Sequence, residues 1–156
     1  MPIQFKPAAL IAGFVAVGAL AGAVHAQEMD DGDYIRARIA HYREIATGLK
    51  AISDEMKSGK MRPEIIKQGA KEINDHAKHQ YNWYRPGSGP ESEERTDAKP
   101  EIWTKPKEFK AAQDRFLAES NAMLKVANAG DMKAVPAQFK ALAATCGACH
   151  DVFKKK

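Results

Sequence analysis

The sequence predicts an all-α fold, an antiparallel up-down-up-down four-helix bundle. Three observations point there. Four stretches repeat apolar residues in steps of three and four, the period of one helical face. No stretch alternates apolar and polar residues over the length of a strand. Gly and Pro residues then divide the helical stretches by a short, a long and a short connection, which suits antiparallel neighbours. A chain of 156 residues, 44% hydrophobic and 28% charged, is one domain with a modest core.

The first helix is expected from about Asp31 to Ser58, with the stripe Ile35, Ile39, Tyr42, Ile45 or Ala46, Leu49, Ile52 and Met56. Asp30, Asp31 and Asp33 place negative charge at its start, where the helix dipole favours it. Gly59 provides the stop. The second runs from about Pro63 to Tyr84, because Pro suits a first helical turn and Arg85-Pro86-Gly87-Ser88-Gly89-Pro90 ends it. Its stripe is Ile66, Ala70, Ile73, Ala77, Tyr81 and Tyr84. The connection 85–103 is long for a small domain, so it is expected to pack, with Ile102 and Trp103 as anchors. The third helix spans about Pro106 to Ala129 with Phe109, Ala112, Phe116, Met123 and Ala127 inward, and Gly130-Asp131 breaks it. The fourth spans about Lys133 to Lys154, with Val135, Phe139, Leu142, Cys146, Cys149 and Phe153 on one seam.

Residues 1–26 read as a secretory leader. Lys6 precedes an apolar run from Ala8 to Val24, and Val24-His25-Ala26 offers a small-residue cleavage site. The run is shorter than the ~20 residues that span a bilayer, so no stable membrane insertion is expected after cleavage. The expected mature domain is 27–156, exported to the periplasm. The formal net charge of +4 carries no long basic tract and does not argue for nucleic acid. Lys154-Lys155-Lys156 reads as a solvated end, or as a patch that steers an acidic redox partner.

The last helix carries Cys146-Gly147-Ala148-Cys149-His150, and these are the only cysteines of the chain. Cys-x-x-Cys-His is the attachment signature of c-type haem. The thiols add across the two porphyrin vinyl groups, and the imidazole reaches the iron as proximal ligand. At about 100° per residue, Cys149 lies about 300° and His150 about 40° round from Cys146, so all three share one sector of the helix. Competing chemistries fit less well. Zinc needs four ligands and the motif supplies three. A thioredoxin-like dithiol needs a strand before the helix, and none is expected here. The expected cofactor is therefore one haem c, attached through Cys146 and Cys149 with His150 on the iron.

Three stretches together resemble the cytochrome c′ family. They are Cys146-Gly147-Ala148-Cys149-His150-Asp151-Val152-Phe153-Lys154, the loop Pro86-Gly87-Ser88 with Thr96-Asp97-Ala98-Lys99-Pro100-Glu101-Ile102-Trp103, and the run Arg38 to Leu49 with the stop Met56-Lys57-Ser58-Gly59. The resemblance implies a left-handed bundle, usually a homodimer, with one covalent haem. It also implies a five-coordinate or weakly blocked iron that binds nitric oxide and carbon monoxide, passes electrons, or both. In low-spin relatives a first-helix methionine fills the sixth position.

Alignment to the family places Tyr42 on the distal side, and Tyr42 lies on the apolar stripe independently of any alignment. A phenol coordinates ferric iron as phenolate, but its ordinary pKa near 10 disfavours that without a nearby cation. The other reading is a packed tyrosine covering the ring. A register slip brings in His41 and a bis-histidine iron, although His41 lies off the stripe; Met56 and Met29 are the remaining axial candidates. Any of these gives the alternative function, a six-coordinate low-spin electron carrier. Arg38 resembles the family arginine near a haem propionate, or it is a solvated surface arginine. Lys154 resembles the family's basic residue beside the proximal imidazole, or it is simply exposed. His76 and His79 supply too few imidazoles for a metal patch. An enzyme such as a peroxidase would need a distal acid–base pair, which the first-helix stripe lacks, so none is expected.

Overall fold

The computed structural model describes residues 29–156, and the expected leader lies outside them. The chain forms α1 (Asp31–Ser58), α2 (Pro63–His79), a short α3 (Glu101–Thr104), α4 (Pro106–Asn128) and α5 (Val135–Phe153). The four long helices make the antiparallel bundle. Close packing runs from α1 to α2, α2 to α4, and α4 to α5. Among the described residues no helix is long and apolar enough to cross a membrane.

Both ends of α1 are set by local chemistry. Asp30 accepts from the Asp33 amide at 2.6 Å, and the Asp33 carboxylate accepts from the Asp30 amide at 3.2 Å, a reciprocal capping box. Gly59 closes the helix at φ 66°, a left-handed position that suits glycine. The buried Glu55 carboxylate then holds Arg62 across the α1–α2 turn. It accepts from the Arg62 backbone amide at 3.0 Å and from Nε at 3.1 Å.

Where α1 crosses α2 the backbones nearly touch. A Cβ on Gly48 would stand 2.9 Å from the Gly69 carbonyl, and one on Gly69 would stand 2.9 Å from the Gly48 carbonyl. This pair fixes the crossing and lets Ile45, Ile52, Ile66 and Ile73 pack into one core with Met123, Val135 and Leu142. Polar clasps set the α2–α4 register. Gln80 donates to the Gln113 carbonyl at 3.0 Å, and Gln113 donates back to the Gln80 carbonyl at 3.1 Å.

The second helix ends earlier than its periodicity suggests. After His79 the chain tightens into a 3₁₀ turn at Gln80–Asn82. A 3₁₀ turn aligns residues three apart. Gln80 and Trp83 thereby face inward, while Tyr81, expected on the apolar stripe, is exposed and donates to Asp114 at 2.7 Å.

The long connection packs as expected. Ile102 is buried, and the Trp103 indole donates to the Arg85 carbonyl at 3.2 Å. It also ties to the C-terminus. The Lys99 amide donates to the Phe153 carbonyl at 3.0 Å, and the Lys155 amide to the Asp97 carbonyl at 2.7 Å. Thr96, Asp97 and Ala98 are held in this way against the end of α5.

Candidate haem site

A cavity of about 590 Å³ separates α1 from α5, within the roughly 300–1,000 Å³ typical of cofactor clefts. Its α5 wall carries Cys146, Cys149, His150 and Phe153. Its α1 wall carries Arg38, Ile39, Tyr42 and Leu49. Phe109, Ala112 and Phe116 of α4 form the floor, and Thr96, Asp97 and Ala98 border the mouth. All five residues expected at the site from sequence, Cys146, Cys149, His150, Tyr42 and Arg38, therefore face one cavity.

Both cysteines are free and partly buried. Cys146 joins the main core, while Cys149 packs beside Ala98, Ile102, Phe109 and Phe153. Burial pushes both thiols up, Cys149 to about 11, so they are protonated at neutral pH. Among the described residues no group of three or more His, Cys, Asp or Glu is placed to hold a metal ion. Burial, then the nearby Lys154, hold the His150 imidazole below its ordinary value. It is thus neutral near pH 7 and has a lone pair to give a metal.

Arg38 is not a solvated surface residue. It is 3% exposed and donates to Ser88 Oγ at 2.9 Å and Thr96 Oγ1 at 2.6 Å. Its guanidinium lies 4.9 Å from the centre of the Tyr84 ring. Burial lowers its pKa, yet a guanidinium stays charged at neutral pH. Among the described residues no carboxylate comes within ion-pair distance of it, although Glu91 favours its charge from further away. A propionate-bearing porphyrin would give Arg38 an ion-pair partner, and the cavity's size, two thiols, neutral imidazole and buried guanidinium fit the group.

Tyr42 packs edge-on against Trp83, with ring centres 5.1 Å apart, and its hydroxyl is 3.2 Å from that of Tyr84. Burial raises its pKa well above 10, which argues against a phenolate ligand. The other axial candidates point elsewhere. The His41 ring stacks on Trp83 at 4.7 Å and lies 5.2 Å from His76, on the α1–α2 side. Met56 packs against the main core and Met29 is exposed. None of the three lines the cavity. Lys154 borders the cavity with its ammonium 3.7 Å from the Asp97 carboxylate.

Tyr84, expected on the apolar stripe of the second helix, also lines the cavity, a role that periodicity does not reveal. It enters the cavity from beyond the 3₁₀ turn, and its partners Tyr42 and Arg38 are remote in sequence.

Residues 33–154 match the family model for cytochrome c′. The chain belongs to the cytochrome c′ family. It is 40% identical over 60 residues to a cytochrome c′ from Alcaligenes xylosoxydans xylosoxydans, a match covering 38% of this chain and 47% of that one. The chain thus spans about half the length of the first curated relatives it matches. The fold extends the likeness. The crystal structure of cytochrome c′ from Rubrivivax gelatinosus superimposes with a TM-score of 0.75 at 26% identity, covering 83% of this chain and 100% of that one. A ferrous variant of Alcaligenes xylosoxidans cytochrome c′ with bound NO does so with 0.73 at 26%, covering 83% and 99%. The family binds haem c covalently, and the two cysteines of this cytochrome c′-family chain stand in the matching motif.

Proposed function

We propose that this protein is a periplasmic c-type cytochrome whose haem iron has one protein ligand, binds nitric oxide and carbon monoxide on the opposite face, and passes single electrons. The observation that carries this is the make-up of the cavity wall. Among the described residues His150 is the only imidazole lining it, and no methionine does. The Alcaligenes relative solved with bound NO shares the fold at 26% identity and supports the ligand class.

Haem, once bound, supplies the ligand-binding and one-electron chemistry. The residues of the chain orient and shield it. Cys146 and Cys149 would anchor the group along α5, and neutral His150 would offer a nitrogen to the iron. Arg38 would hold a propionate by a charge-assisted hydrogen bond in a low-dielectric setting. Phe109, Phe116 and Leu49 keep water from the ring faces. Tyr42, a neutral side chain on the α1 wall, would cover the group from the side across from α5.

Residues 1–26 act as the export leader and 27–156 as the haem domain, assembled as a homodimer. The mass of the exported protein is expected to equal residues 27–156 plus one haem. Retention of residues 1–26 would contradict the leader.

Absorption spectra of the ferric and ferrous protein test the iron site. The expected spectrum is high-spin and shifts on CO addition. A low-spin spectrum indifferent to CO would overturn the open face in favour of a six-coordinate carrier.

A further inference from the structure

We propose that His41 of α1 and His76 of α2 form a metal site outside the haem cavity, which takes one divalent late transition-metal ion, Cu(II) before Zn(II), between the two imidazoles. Neither residue lines the cavity, so the site stands apart from the iron and from the reading of its open face.

The chain has five histidines. His25 lies in the expected leader and His150 in the haem motif, which leaves His41, His76 and His79. In the sequence His76 and His79 are too few for a metal patch, but the fold brings His41 to them from the neighbouring helix. The ring centres of His41 and His76 are 5.2 Å apart, with their planes 47° from each other. With about 2.0–2.1 Å between metal and nitrogen, two imidazoles on neighbouring positions of one ion hold their ring centres about 5 Å apart. The pair already stands at the spacing of a shared ion.

The rings are held in place and their nitrogens are available. His41 stacks on Trp83 with ring centres 4.7 Å apart and planes at 13°. Trp83 is buried, and Tyr42 meets it edge-on. The His76 ring lies 6.4 Å from the same indole. A pair fixed in this way loses little freedom when it binds. Both imidazoles are half-buried, so an ion reaches them from solvent. Among the described residues neither has a hydrogen-bond or ion-pair partner that a metal must displace. Burial, then His76 and His79, hold His41 below its ordinary value, which leaves it a neutral donor near pH 7. Glu44 favours positive charge at the same ring. No third His, Cys, Asp or Glu completes the set, so water fills the remaining positions. Imidazole suits copper and zinc, and the general order of affinities puts Cu(II) first. A bound ion ties α1 to α2.

The test titrates the ferric holoprotein, whose thiols are taken up by the haem, with copper(II) sulfate and separately with zinc sulfate. Calorimetry reads the affinity, and electron paramagnetic resonance of the copper reads its ligands. The wild type is expected to bind one Cu(II) per chain, more tightly than Zn(II), with a copper signal coupled to two imidazole nitrogens. His41→Gln and His76→Gln should each weaken Cu(II) by about tenfold or more, with the haem absorption unchanged. His76→Gln leaves the His41–Trp83 stack in place, so it carries the test even if His41→Gln disturbs the fold. His79→Gln should bind as the wild type does. Equal Cu(II) affinity in wild type and His76→Gln would overturn the proposal. A loss in His79→Gln and His76→Gln with full affinity in His41→Gln would also overturn it, because the ion would then sit on α2 alone.

Discussion

Arg38 is a charged group in the wall of an apolar cavity, with its hydrogen bonds going to hydroxyls and no ion pair to a carboxylate. If a propionate is its counter-charge, Arg38→Gln removes a cation that favours the reduced, less positive iron. The reduction potential then falls, and a potentiometric titration showing no change would argue against that contact. Arg38→Ala should also lower holoprotein stability by about 2 kcal/mol, because Ser88 and Thr96 lose a charged partner. Glu55 gives a pH signature. Arg62 holds its carboxyl down to about 2. A depressed folded-state value stabilises the protein fully above the unfolded carboxyl range and loses that contribution as pH falls through about 2. Between about pH 4.5 and 2 the wild type should therefore lose stability, and Glu55→Gln should lose less over the same window in acid titrations followed by circular dichroism. The motif residues at this scale were legible because Cys-x-x-Cys-His carries its own chemistry. Arg38 was ambiguous, because its partners Ser88 and Thr96 lie 50 and 58 residues away and no local pattern pairs them.

The helices were more legible than their contacts. Asp31–Ser58 is marked by its acidic start and Gly59, and the starts of α2 and α4 are marked by Pro63 and Pro106. Periodicity reports which face is apolar, but it does not say how closely a neighbour approaches. For that reason the Gly48–Gly69 crossing was invisible: glycine adds nothing to an apolar stripe. Gly48→Ala would bring a Cβ to 2.9 Å from both the Gly69 carbonyl and Ile73 Cγ1. Such overpacking should cost about 1–3 kcal/mol in urea unfolding. Thr47→Ala, at the exposed neighbouring position, should stay within about 0.5 kcal/mol. The end of α2 was misread for a related reason. The Gln80–Gln113 clasp draws the backbone into a 3₁₀ turn, and a contact 33 residues distant overrides the local stripe.

At the scale of the molecule, three helix pairs close the bundle and the cavity between α1 and α5 takes the place of a fourth closed seam. The haem is then part of the core as well as the reactive group. Residue patterns place both cysteines on the inner seam of α5, but the width of the gap appears only when α2 and α4 hold the outer helices apart. A Cys146→Ala, Cys149→Ala double variant lacking covalent haem should retain far-ultraviolet circular dichroism, lose near-ultraviolet signal and bind the dye ANS, the behaviour of a loosely packed helical state. A rigid, cooperative apoprotein would show that the cavity needs no filling. The claim on which the functional account depends is one imidazole on the iron and an open face beneath Tyr42. Electron paramagnetic resonance of the resting ferric holoprotein at neutral pH reads it directly. The account predicts a high-spin signal from iron with a single histidine ligand, and a low-spin signal from iron with two strong axial ligands would contradict it.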